Sequence, residues 1–313
     1  MNTSNAELVK LSQKIYKEWY PKTVLVQSCD NSFEGELNLE TRELDIPIYH
    51  DLSIHLTTLK EREVKPADIE FIKASTKRVT IDKGRYSHWG ETNIGKLVDK
   101  LGQANSEIRK KLVNRWAVEA EKELGEWCAF DLKANQTINI PTILNWSTTG
   151  FLQGSGENAN VLKVLDILKA KAIEKNMDPG DFQLFASEAF ETVLRDSKIL
   201  LGSNLSGDEA FKTGYVAHAN GVEIRRIQIP SITTRNSDSG LVEAEYAIWK
   251  TRDGIQYVVP YKNTISYDIK PSEILLGGKG YQTLEYYDFF NLYPTRLYRV
   301  PLYYKADPTL PTK

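Results

Sequence analysis

With 313 residues, 41% of them hydrophobic, the chain is long enough for about two domains and apolar enough to bury a core. Its 40 Lys and Arg against 42 Asp and Glu leave a formal charge of −2, which argues against a protein that coats nucleic acid, since that needs a large basic excess. Cys29 and Cys128 make neither a disulfide scaffold nor a CxxC metal pair. The start, MNTSNAELVKLSQKIYKEW, lacks the apolar centre of a signal peptide, and no apolar run approaches the ~20 residues of a membrane helix. These features point to a soluble protein of a reducing compartment.

Residues 5–20 predict a short amphipathic helix, with Leu8, Leu11, Ile15 and Trp19 on one face and Pro21 ending the run. ELDIPIYHDLSIHLTTL and KRVTIDKGRYSHW both alternate apolar and polar residues. They predict strands over 43–60 and 75–90, the arms of a long β-hairpin with a charged tip near 61–72. Such a two-stranded ribbon is marginal alone in water and must lie on its own body or on another subunit.

The strongest helical signal runs over 93–127. Ile94, Leu97, Val98, Leu101, Ile108, Leu112, Trp116, Ala120, Leu124 and Trp127 form one apolar face, with caps available in Glu91-Thr92-Asn93. At 1.5 Å per residue that helix is roughly 50 Å long, and Gly102 is a weak point inside it, costing about 1 kcal/mol relative to Ala. The stretch 131–160 is rich in Asn, Thr, Ser and Gly and reads as loop with short strands. A second helix is expected over 160–176, capped by Asn160. After the turn MDPGD comes a short buried strand, FQLFAS, and then a third helix over 187–199 with Ser187 at its N-cap. Residues 202–215 read as loop. Strand alternation returns in VAHANGVEIRRIQIP and then in EYAIWK, IQYVVPY, TISYDI, YQTLEYY and RLYRVPLYY. Helices before 200 and strands after it define an α+β class.

Motifs with chemistry are sparse. His50 and His55 are an odd offset apart in a predicted strand and so lie on opposite faces, which argues against a shared metal. His88 and His218 are isolated, and neither Cys29 nor Cys128 has a neighbouring His. The Gly154-Ser155-Gly156 and Gly277-Gly278-Lys279-Gly280 strings do not match a phosphate-binding loop. Ser147 and Ser187 are not in GxSxG. The basic pairs Lys77-Arg78, Lys110-Lys111 and Arg225-Arg226 are short and balanced by acids. A chain with a long helix, a projecting hairpin, an amphipathic terminal segment and no site reads as an assembly subunit.

The order of these segments resembles the major capsid protein of tailed bacteriophages, the Hong Kong 97-like fold. EGELNLETRELDIPIYHDLSIHL is similar to the family's lead-in to its extended loop, and KRVTIDKGRYSHWGETN to that loop's return. VLKVLDILKAKAIEKNMDPGDFQLFASEAFETVLRDSKIL resembles the helix–turn–strand–helix run of the family, and GDEAFKTGYVAHANGVEIRRIQIP its glycine-punctuated segment, here with Gly207, Gly214 and Gly221. The resemblance implies an N-terminal arm (1–30), an extended loop (43–90) and a peripheral domain (31–42, 91–144 and 266–313) holding the spine helix 93–127. It also implies an axial domain over 145–265.

The implied function is a non-enzymatic subunit that forms hexamers and pentamers of an icosahedral virion shell around double-stranded DNA, assembled in the host cytoplasm, without cofactors. The implied partners are other copies, a separate scaffolding protein, a portal and a decoration protein; no membrane is involved. Glu61, Arg62, Glu63, Lys65 and Asp68 at the loop tip are expected to make charged contacts with a neighbour. Gly102 is the expected flex point of the spine helix, and Gly207, Gly214 and Gly221 are expected at turns of the axial domain. An encapsulin-type nanocompartment shares the architecture, and an α+β enzyme with a site assembled from distant residues is the alternative of another class.

Overall fold

The computed structural model describes residues 13–33, 43–49, 74–92, 103–139, 146–147, 158–187, 190–191, 215–219, 221–227, 234–235, 241–270 and 277–305. Helix α1 runs over 13–19 and tightens into a 3₁₀ turn at Tyr20–Lys22, where Pro21 fits the first turn. Strands β1 (Glu43–Tyr49) and β2 (Ala74–Thr80) pair antiparallel, Glu43 opposite Thr80 and Tyr49 opposite Ala74. The bidentate Arg78–Asp45 contact, 2.8 and 3.0 Å, joins residues that the register sets face to face.

The hairpin differs from the sequence expectation in its return arm. Strand β3 (Lys83–Thr92) does not pair with β1; it pairs antiparallel with β11 (Gly278–Phe290), which in turn pairs with β10 (Gln256–Ile269). Alternation alone marks a strand but not its partner, and Asp82 turns the chain from one ribbon into the next sheet. Glu91 and Thr92 accordingly belong to β3 rather than to a helix cap. IQYVVPY and TISYDI merge into the single 14-residue β10, bent by a bulge between Val258 and Tyr261.

The long helix α2 spans Gln103–Phe130, 28 residues or about 42 Å. It ends three residues later than the periodicity indicated; its expected start over 93–102, including Gly102, lies outside the described residues. Helix α3 (Asn158–Glu174) begins two residues before Asn160, so Asn160 is not its cap. Of the third expected helix, Phe190 and Glu191 are described and helical, and Glu191 N–H donates to Ser187 O at 3.2 Å, while 188–189 and 192–199 lie outside the described residues.

The second sheet has seven strands: β4 (Trp146–Ser147), β12 (Leu297–Lys305), β9 (Leu241–Lys250), β5 (Gln183–Ala186), β7 (Val222–Arg226) and β6 (Tyr215–Ala219) in spatial order, with β8 (Thr234–Arg235) also on β9. The expected division at 265 falls inside β10, and the C-terminal β12 joins this sheet.

Period-two burial separates two cores across it. Leu184, Ala186, Ala247, Trp249, Tyr298 and Val300 face α3 through Val164, Leu165 and Leu168. Phe185, Ile248 and Leu297 face the opposite way, onto α2 and the N-terminal segment. A third cluster sits under the hairpin, where Leu44, Ile46 and Ile81 cover Val258, Phe290 and Leu292. The two sheets are joined by the tight β9–β10 turn, where a Cβ at Gly254 would come within 2.3 Å of Arg296 O.

Candidate assembly surfaces

The three-stranded sheet, α1 and α2 meet at one buried guanidinium. Arg85 on β3 lies 4.4 Å from the centroid of Tyr287, 5.6 Å from Trp19 and 5.9 Å from Trp116. Its terminal nitrogens sit 3.6 Å from Glu123 and 3.9 Å from Glu285. Glu285 is 1% exposed and also accepts the Trp19 Nε1–H at 3.1 Å. Trp116 Nε1–H donates to Ser87 Oγ at 2.7 Å, and Lys83 donates to Glu123 at 2.8 Å. This cluster ties β3, β11, α1 and α2 together. The sequence does not reveal it, because an inward-facing Arg or Glu reads as a solvated residue until the fold brings its distant partners together.

The N-terminal segment is held by two further charges. Leu25 N–H donates to both Glu121 carboxylate oxygens, at 2.8 and 3.1 Å, and Val24 N–H donates to the same group. Burial pushes the Glu121 carboxyl up to about 7, against the pull of those donors and of Lys250. On the far side Lys250, 1% exposed, donates to Ser28 O at 2.8 Å and lies 5.3 Å from the Phe185 ring. Burial lowers its ammonium pKa. Asp30 then joins the sheet: its N–H donates to Ile255 O at 3.0 Å, and its O accepts from Tyr257 N–H at 2.8 Å. Cys29 and Cys128 are buried beside this segment. Burial raises the Cys29 thiol to about 11 and the Cys128 thiol well above its ordinary value, which suits packing rather than nucleophilic chemistry.

Three features face outward. The β1–β2 ribbon is anchored by its apolar base and by Lys77 donating to Asn291 O at 2.9 Å. The face of the three-stranded sheet that the ribbon covers near Phe290 is bare at its other end, where Tyr86 is 65% and Ile265 49% exposed. An open groove runs between β3 and α2, lined by Arg85, Ser87 and Trp89 on one side and Lys111, Arg115 and Glu119 on the other.

Of the residues singled out from sequence, Glu61, Arg62, Glu63, Lys65, Asp68, Gly102, Gly207 and Gly214 lie outside the described residues. Gly221 is described. It lies at the turn that leads into β7, at φ +77°, which glycine adopts without strain. His88 is exposed on β3, edge-on to Tyr86.

No protein-family model matches the sequence, and no curated protein does. In structure the chain is similar to the capsid of Ralstonia phage GP4, with a TM-score of 0.65 and 9% identity over 91% of this chain and 89% of that one. It is also similar to a chain of Mycobacterium phage Che8 (TM-score 0.54, 13% identity, 89% and 90% covered). A third likeness is to the head of Helicobacter pylori bacteriophage KHP40 (TM-score 0.53, 8% identity, 92% of each chain).

The chain has the Hong Kong 97-like capsid fold. In that fold α2 is the spine helix, and the three-stranded sheet beside it carries the ribbon at one end. The α+β class expected from sequence is the class observed.

Two outcomes test the internal clasps. Glu285→Ala removes the more buried of the two carboxylates beside Arg85 and leaves the Trp19 Nε1–H without its acceptor, and should lower unfolding free energy by roughly 3–5 kcal/mol. Arg85→Met with Glu285→Leu should lose less than the single change; equal or additive losses in chemical denaturation would contradict the pairing.

For Glu121, the folded pKa of about 7 lies above the ordinary 4.5. Its contribution is therefore fully present below about pH 4.5 and is lost as pH rises through 7. Thermal unfolding of Glu121→Gln should show a shallower pH dependence than the parent between pH 5 and 8, the variant gaining relative to the parent as pH rises. Parallel curves would contradict this.

Proposed function

We propose that the chain is a major capsid protein, a structural subunit that self-assembles into hexamers and pentamers of an icosahedral virion shell enclosing double-stranded DNA. The observation that carries the reading is the capsid fold shared over about nine-tenths of both chains with solved phage capsids. The layout of the described residues supports it. The body is closed by three apolar cores, while a two-stranded ribbon and a sheet edge project from it unpaired among the described residues. Unpaired strands are a liability in a monomer and an asset in a subunit that meets its own copies.

In this reading residues 1–30 form the arm, the extended loop within 43–90 lies over the adjacent copy, and the segment around 202–215 meets its symmetry mates at the capsomer centre. Glu61, Arg62, Glu63, Lys65 and Asp68 make charged contacts at the loop tip, and Gly102 is the flex point of the spine helix during shell expansion. A separate scaffolding protein, a portal and a decoration protein complete the set of partners. The net charge of −2 suits a container that encloses DNA without gripping it, since tight phosphate binding needs a basic excess.

Negative-stain microscopy of the purified protein tests the reading: shells, rings or capsomers are expected, and a monodisperse monomer of 35.6 kDa at every concentration would overturn it. Deleting 58–72 should leave the circular dichroism of a folded subunit and abolish closed shells; closed shells from that variant would contradict the loop's role.

A further inference from the structure

We propose that the outward face of the three-stranded sheet binds a neutral oligosaccharide, which lies across the rings of Tyr86 and Tyr267. Binding there needs no shell, so the site goes beyond the reading above.

This sheet carries its charges on the side turned inward. On β3 between Gly84 and Gly90, on β11 between Gly280 and Tyr286 and on β10 between Tyr261 and Tyr267, every second residue points away from α1 and α2. These twelve positions, four on each strand, hold no Asp, Glu, Lys or Arg, in a chain of which 26% is charged. Residues between them do carry charge. Arg85 and Glu285 sit in the cluster with α2, and the Lys262 ammonium lies 3.6 Å from the Tyr16 ring of α1. A solvated sheet face has the opposite pattern, polar outside and apolar within. An outward face stripped of charge and rich in aromatic residues marks a binding surface.

The rings are laid down rather than standing. Tyr267 lies across Gly280, leaving no room there for a Cβ, and is still 48% exposed. Tyr286 packs over Gly84 in the same way, where a Cβ would meet its ring at 3.3 Å. Tyr86, 65% exposed, stands at the β3 margin with His88 edge-on to it at 5.5 Å. A ring that lies on the backbone offers its electron-rich face to solvent, and the weakly positive C–H bonds of a pyranose stack on such a face. The polar groups among the rings are His88, Asn263, Gln282 and the tyrosine hydroxyls, which both donate and accept, as sugar hydroxyls do. A charged sugar finds no counter-ion on this face.

Area separates a sugar from a protein partner. With strands about 4.8 Å apart and about 3.4 Å per residue, the bare face measures roughly 15 Å by 24 Å. The β1–β2 ribbon closes one end of it over Phe290. That is less than half of the ~800 Å² each partner gives to a stable protein interface, and it leaves room for a short sugar chain running from Tyr86 to Tyr267.

Isothermal titration of the full chain with three neutral probes, cellohexaose, maltohexaose and the hexamer of N-acetylglucosamine, tests the site. At least one should bind in the millimolar range or tighter. Tyr86→Ala and Tyr267→Ala should each weaken that binding about tenfold or more, the loss of one stacking contact, while Tyr267→Phe, which keeps the ring, should bind like the parent. All three variants should keep the parent's circular dichroism, because both rings are exposed. No binding of any probe, or alanine variants that bind like the parent, overturns the proposal. So does a parent that binds no sugar and self-associates in sedimentation velocity through a contact that Tyr86→Ala or Tyr267→Ala removes, which makes the face a protein interface. Microscopy of the parent decides the shell reading separately, and a parent without shells leaves the titration equally decisive.

Discussion

A positive charge that cannot reach water organises this subunit. Arg85 sits on β3, yet its guanidinium is enclosed by side chains from three other segments: Trp19 of α1, Trp116 and Glu123 of α2, and Glu285 with Tyr287 of β11. Leaving such a charge without partners costs several kcal/mol, so the four segments must arrive together. The contacts tie α1 and α2 to the three-stranded sheet alongside the apolar packing of the same elements. The same logic recurs at the next turn of chain, where Glu121 takes up backbone donors at 24 and 25 and Lys250 takes up the carbonyl of Ser28. The N-terminal segment is thereby clasped from two sides, by an acceptor for its N–H groups and a donor to its carbonyl.

Rigid at its centre, the molecule is unfinished at its margin. Apolar packing closes both faces of the seven-stranded sheet, and no such closure exists for the outer edges of β1, β2 and β3 among the described residues. The groove beside β3 owes its shape to the Arg85 cluster, because Trp116 and Ser87 spring from the strand and helix that the cluster joins. The buried cluster and the groove therefore share the same strand and helix. The capsid fold thus combines, in this chain, a body closed by buried charge and apolar packing with strand edges left open among the described residues.

Much of the architecture was legible in the sequence. The apolar spacing from Ile108 to Trp127 marked α2, Val164 to Ala172 marked α3, and alternation marked β1, β5, β9 and β12, because each of these elements buries one face against a core. Strand partners were less legible. Residues 83–92 alternate in the same way whether they pair with β1 or with β11, and what decides between them is a contact nearly 200 positions away in the chain. The Arg85 cluster was invisible for a related reason. Charged residues facing inward read as solvated ones until their partners are brought together by the fold. Glu121 and Lys250 look like two more members of a balanced charge count, and burial alone makes them clasps.

The most direct measurement is a cryo-electron microscopy reconstruction of particles assembled from this chain, with each independent copy built separately. The account predicts hexamers and pentamers in which the Arg85, Glu285, Trp19 and Trp116 side chains superpose from copy to copy while the ribbon over 43–80 changes its angle. A particle whose copies differ in that buried cluster and share a fixed ribbon, or an assembly without hexamers and pentamers, would contradict it.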